Sequence, residues 1–88
     1  MMEVFVLRTA AGWERANGAA VILAESLEGA ETLMRDHELE ERLTCYQSEA
    51  EAQADVTGPS RHIWVQVERF PNQEEQPRVV IIAWDDTI

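Results

Sequence analysis

The side chains with chemical potential in this 88-residue chain are two histidines, one cysteine and an excess of carboxylates. His37-Glu38 opens like the zincin pattern H-E-x-x-H, in which two imidazoles one helical turn apart grip zinc. Glu41 stands where the second histidine is required, so the metal-binding pair is lost and a structural or surface His37 is expected. His62 lies beside Trp64 with no Ser, Cys or Asp at a spacing that makes a nucleophile and its base. Cys45 is alone, which excludes an intramolecular disulfide and a multi-cysteine zinc site, and its acidic neighbourhood does not favour a thiolate. It reads as a small buried residue in an apolar row. Asp85 and Asp86 offer oxygen ligands for a divalent cation, but paired charges that end a strand and blunt its extension are the simpler reading. The four glycines are scattered, so neither phosphate-binding glycine loop is present. The expectation is a protein with no catalytic, cofactor-binding or metal site, one that acts by binding.

The carboxylates are regional. Ten of the seventeen acidic residues fall between Glu25 and Asp55 with only Arg35 and Arg42 among them, which leaves −8 there out of −10 overall. Such a field repels DNA, RNA and anionic lipid and attracts basic surfaces. Arg61 and Arg69 share a stretch with Trp64 and Phe70, yet two cations do not offset that background, and direct nucleic-acid binding is not expected. The longest apolar runs, VFVL, AAVILA and VVIIAW, fall far short of the roughly 20 residues of a membrane span. Without a basic, apolar and cleavable leader at the N-terminus, an intracellular setting is the expectation.

One domain, residues 1–88, accommodates this length, and its 45% apolar content with clear periodicity sets it apart from disordered chains. Met2 to Arg8 is apolar on both alternating sets and suits a central strand. Thr9 to Gly18 reads as a loop ending in the turn pair Asn17-Gly18, and Ala19 to Ala24 as a second strand. Ser26 stands as an N-cap, and Leu27, Ala30, Leu33, Met34 and His37 form the apolar stripe of a helix starting at Leu27. Beyond His37 two readings compete. Leu39, Leu43, Tyr46 and Ala50 continue a helical spacing, while LTCYQ (residues 43–47) suits a short strand followed by a second helix from Ser48, where Ser48 and Glu51 complete an S-x-x-E capping box. A 22-residue offset lays VILAESLEGAE on LTCYQSEAEAQ and favours the strand. Thr57 to Ser60 breaks the chain. RHIWVQVERF alternates Ile63, Val65 and Val67 against a wetter face of His62, Trp64, Gln66 and Glu68, and RVVIIAW follows as its hairpin partner. The resulting expectation is an α+β fold of two layers: a largely antiparallel four-stranded sheet with one or two helices on one face, in the order β-β-α-(β/α)-β-β.

A solvated helix usually mixes charge signs, and here the offsetting pairs are few. An unbalanced acidic surface suits a basic partner, with spaced carboxylates standing in for phosphates. Glu28, Glu31, Asp36, Glu38, Glu40, Glu41, Glu49, Glu51 and Asp55 are the candidate contacts. Trp13, in the first loop, is the candidate anchor, and Trp84 the candidate core tryptophan. In size, acidity and α+β format the chain resembles small phage-encoded inhibitors of the anti-CRISPR type. That resemblance implies a non-enzymatic inhibitor or nucleic-acid-mimicking decoy in a bacterial cytoplasm, occupying a basic surface of a nucleic-acid-binding complex. An assembly module that uses an exposed apolar sheet face, as a homodimer or otherwise, and an immunity or antitoxin protein for a basic nuclease are the alternatives.

Overall fold

Because VFVL carries apolar side chains on both faces, it is stable only with strands on either flank and cover above and below. It becomes β1 (Glu3–Thr9), the central strand of a five-stranded sheet. The computed structural model describes residues 2–10, 17–55, 63–73 and 76–85. Along the chain β1 is followed by β2 (Asn17–Ala24), α1 (Leu27–Glu38), β3 (Thr44–Tyr46), α2 (Glu49–Asp55), β4 (Ile63–Pro71) and β5 (Arg78–Asp85). Across the sheet the order is β3-β4-β1-β2-β5. β1 pairs antiparallel with β2 and β4, β2 pairs antiparallel with β5, and β3 lies parallel to β4. The class is α+β, with a mixed sheet of five strands where a largely antiparallel one of four was expected.

The fifth strand resolves the competition beyond His37. Leu39 leaves α1 in the left-handed conformation (φ 54°, ψ 41°), and the amide of Glu40 turns back to the carbonyl of Arg35 at 3.2 Å. Its side chain is 90% exposed, so the helical spacing stops there, and Leu43, fully buried, leads into β3 instead. Both helix starts are as expected. Ser26 Oγ accepts from the Gly29 amide at 3.0 Å and Ser48 Oγ from the Glu51 amide at 3.2 Å. Ala30 and Met34 are buried, whereas His37, assigned to the apolar stripe, is exposed.

The expected hairpin between the last two strands does not form. β4 lies against β1 and β5 against β2, on opposite flanks of the sheet. Two strands separate them, about 14 Å at ordinary inter-strand spacing, which the six intervening residues can span. A direct β4–β5 hairpin would take the side of β4 that β3 occupies and leave β2 at an edge, while the observed order flanks β1 and β2 on both sides and buries Phe5, Leu7 and Ile22 completely.

Nor do the helices share a face. Trp64 and Cys45 join Phe5, Leu7, Ala20, Ile22 and Ala24 beneath Ala30 and Met34 of α1. Ile63 and Val65 flank Trp64 and so point the other way. They pack with Ala10, Tyr46 and Ala52 of α2. Ile63-Trp64-Val65 is apolar on both sides, and each side requires its own cover. Past Val65 burial falls away along the strand, and the pairing with β1 slips by one residue at Val67, which breaks the alternation of faces. Trp64, expected on the wetter face, is fully buried, and Val67, expected on the packed face, is 52% exposed.

Asn17-Gly18, expected as a turn, forms the first two residues of β2. The glycine is required by close approach. A Cβ on Gly18 would lie 2.8 Å from Cη2 of Trp64 and 3.0 Å from Cζ3 of Trp84. The indoles meet over it edge to face, their centroids 5.4 Å apart at 72°. Trp84 is 39% exposed, so the core tryptophan is Trp64. Arg69 grips Glu3 at the far end of β1 and β4, with Nε donating to Oε1 at 2.8 Å and Nη2 to Oε2, and its Cζ lies 4.9 Å over the Phe5 ring.

Replacing Gly18 by Ala forces the indoles apart and is expected to lower stability by about 2 kcal/mol, read as a lower urea midpoint; an unchanged midpoint would show that the rings yield without cost. The Arg69 hydrogen bonds hold the Glu3 carboxyl below its ordinary 4.5, with the guanidinium charge assisting. A depressed carboxylate contributes stability above its unfolded pKa that is lost as pH falls through the folded one. E3Q is therefore expected to lower stability at neutral pH and to flatten its decline below about pH 4.5, measured by urea unfolding across that range.

Candidate functional site

The acidic set assigned to binding separates into carboxylates bonded within the fold and carboxylates left to solvent. Glu31, on the half-buried side of α1, accepts from the Cys45 amide at 2.8 Å and pairs with Arg35 at 3.0 Å, one turn on. Arg35 Nε donates to the Leu43 carbonyl at 2.8 Å. Cys45 and Leu43 turn these groups outward from β3, the edge of the sheet. The Glu31–Arg35 pair thus makes the two bonds a sixth strand would have made.

Three further carboxylates have internal partners. Glu38 accepts from Trp84 Nε1 at 3.1 Å, tying the end of α1 to β5. Glu40 accepts from the Arg42 amide at 3.1 Å and lies 3.6 Å from its guanidinium, closing the turn after α1. Glu49 pairs with Arg8 at 3.1 Å, joining α2 to β1. Glu28, Asp36, Glu41 and Glu51 are exposed and form no ion pair with a described residue, and Glu25 ahead of α1 is exposed too. Asp55 is the last residue of α2. Trp13, His62 and Asp86 lie outside the described residues.

The arrangement therefore brings Glu25, Glu28 and Asp36 to the solvent side of α1, with Glu41 just past its end. Glu51 stands on α2, which covers the other face of the sheet, and is not part of that group. Sequence reasoning passed over the exposure of Leu39, and it anticipated an exposed apolar sheet face without naming its residues. Leu39, at the end of α1, is 90% exposed, and Val67, Phe70, Val80 and Ile81 are all at least 44% exposed on the sheet. The left-handed leucine carried no sequence signal, since glycine or asparagine is the usual residue there. The exposed strand residues look like core in any alternating pattern.

Cys45 is buried, and its Sγ lies 3.8 Å from Met34 Sδ. Burial, and secondarily the Glu31 charge, push its thiol up to about 12 against an opposing pull from Arg35. The protonated thiol is a poor nucleophile at neutral pH. A shallow cavity of about 510 Å³ opens beside it between the helices, lined by Leu27, Cys45, Tyr46, Gln47, Glu51 and Ala54. His37 faces solvent 3.6 Å from Glu38. Among the described residues no group of three or more His, Cys, Asp or Glu is placed to hold a metal ion. No helix of the described residues is long and apolar enough to cross a membrane.

Because Glu31 holds the Cys45 amide from outside, E31Q is expected to loosen β3 and expose the thiol. Modification of Cys45 by a colourless-to-coloured disulfide reagent should be slow in the native protein and accelerate at least about tenfold in E31Q, the factor that 1.4 kcal/mol of easier opening produces. E28Q, on the solvent side, is expected to leave that rate unchanged. No protein-family model, curated protein or solved structure matches the chain, so its function has to be read from its own residues.

Proposed function

We propose that the chain is a non-enzymatic binding protein that presents the solvent side of α1 to a basic surface on a protein partner, as an inhibitor or nucleic-acid-mimicking decoy. The supporting observation is the division of its carboxylates. Glu31, Glu38, Glu40 and Glu49 are bonded within the fold, while Glu25, Glu28, Asp36 and Glu41 gather on and around one helix in solvent. Like charges on one surface repel one another, and a cationic partner relieves that repulsion. Leu39, 90% exposed among them, supplies an apolar contact inside the charged field. The format shared with small phage inhibitors of the anti-CRISPR type supports a nucleic-acid-binding complex as the partner. An assembly role is the second reading, favoured by the exposed Val67, Phe70, Val80 and Ile81.

Capture from host lysate on the immobilised chain, at low salt and near molar salt, tests the first reading. A basic partner retained at low salt should be lost at high salt, because screening shortens the reach of exposed charges to about 3 Å at 1 M. The triple variant E28Q/D36N/E41Q should fail to retain it at either salt while keeping the native unfolding midpoint. Capture that tolerates both the salt and the triple variant would overturn the electrostatic reading.

A further inference from the structure

The cavity of about 510 Å³ at the β3 edge is of the size of small-ligand sites, and its lining divides by chemistry. Leu27 of α1 and Ala54 of α2 are apolar walls, Cys45, Tyr46 and Gln47 come from β3 and the residue after it, and Glu51 of α2 brings a charge. Cys45 and Tyr46 are successive residues of one strand and belong to opposite packing layers, so the cavity wraps the edge of β3 where the layers meet. Ser48 and Glu51 form a capping box in sequence, yet only half of it closes. The Glu51 amide donates to Ser48 Oγ at 3.2 Å, while among the described residues its carboxylate has no hydrogen-bond or ion-pair partner. No cation lines the cavity, and the arginines that approach this edge, Arg8 and Arg35, are engaged by Glu49 and Glu31. The first turns of both helices carry up to about half a positive charge each, but Glu28 and Glu51 stand in those turns and reverse the sign.

We infer that this cavity binds an arginine side chain of the partner, its aliphatic stem against Leu27 and Ala54 and its guanidinium on Glu51 beside Tyr46. A long cationic side chain buries its stem and keeps its head near water, which suits apolar walls with an exposed carboxylate among them. A guanidinium is favoured over an ammonium because it is more weakly hydrated, stacks on aromatic rings and meets a carboxylate through two parallel N–H donors. An anion is repelled by Glu51 and by the net charge of −10, and a wholly apolar ligand would desolvate Glu51 without pairing it. The inference rests on the reading of a basic protein partner only for the source of the arginine. Its site is separate from the far end of the acidic helix, since Leu27 opens α1 and Leu39 caps its other end, about 18 Å away along the axis.

Titration of the isotope-labelled full chain with N-acetyl-arginine methylamide, followed by amide chemical shifts, tests the site without the partner. Saturable shifts should concentrate at Tyr46, Gln47, Glu51 and Ala54. The citrulline derivative, of the same shape without the charge, should bind at least about tenfold more weakly, with the lysine derivative in between. E51Q should weaken arginine binding by about the same tenfold factor while keeping the native unfolding midpoint. D36N/E41Q should leave the shifts in place, so loss of partner capture and loss of arginine binding report on different contacts. A glycine-flanked arginine peptide should bind at least as tightly as the free derivative. Preference for free agmatine over that peptide would assign the cavity to a small organic cation and overturn the partner's side chain as its occupant. Absence of saturable shifts, equal binding of the citrulline derivative, binding unchanged in E51Q, or shifts confined to Asp36 and Glu41 would each overturn the proposal.

Discussion

A strand of three residues has too few ladder bonds to hold itself at a sheet edge, and β3 is held from outside by two side chains of α1. Glu31 takes the Cys45 amide within it and Arg35 the Leu43 carbonyl just ahead of it, each bond between a charged group and the backbone and therefore stronger than a neutral one. The two also pair with each other, so helix and strand are locked at one angle. Much of the architecture depends on this lock. With β3 in place, Leu43 and Cys45 enter the core, β3 can run parallel to β4, and the crossover between them carries α2 to the far face of the sheet. That crossover covers Ile63 and Val65 while α1 covers Trp64.

The acidic residues thus perform two kinds of work that a count of charges merges. Some replace a missing hydrogen-bond partner: Glu31 for a strand, Glu38 for an acceptor to an indole, Glu40 for the turn after a helix. Others remain hydrated and act through the field they project. Within α1 the division follows position on the helix. Residues that face the edge of the sheet meet unpaired backbone or an indole and are drawn in; those a third of a turn away meet only water.

Much of the fold was legible because local rules act there without competition. The double-sided apolar pattern placed β1 at the centre, Ser26 and Ser48 placed both helix starts, and the 22-residue offset indicated the strand at 43–47. The errors arose where distant segments compete for one residue. The strand after Pro77 looked like the partner of the strand before it, but β1 and β2 offered a more buried arrangement. Trp64 looked wet because the residues two places away on either side, His62 and Gln66, are polar, although Ala30 and Met34 of α1, at least thirty residues upstream, cover it. Within the binding set, composition located the acidic region and could not separate Glu31 from Glu28, since both lie in the first turns of the same helix and differ only in what stands opposite.

By itself, then, the sequence determined most of the element types, the two capped helices, the central strand and the sign and location of the charge. These follow from side-chain period, capping chemistry and Coulomb's law over short stretches of chain. Only the tertiary structure decided the strand order, the placement of the helices on opposite faces, the need for glycine beneath two indoles and the fate of each carboxylate. All four depend on contacts between residues far apart in the chain, and a burial that satisfies several strands at once overrides the preference of any one of them.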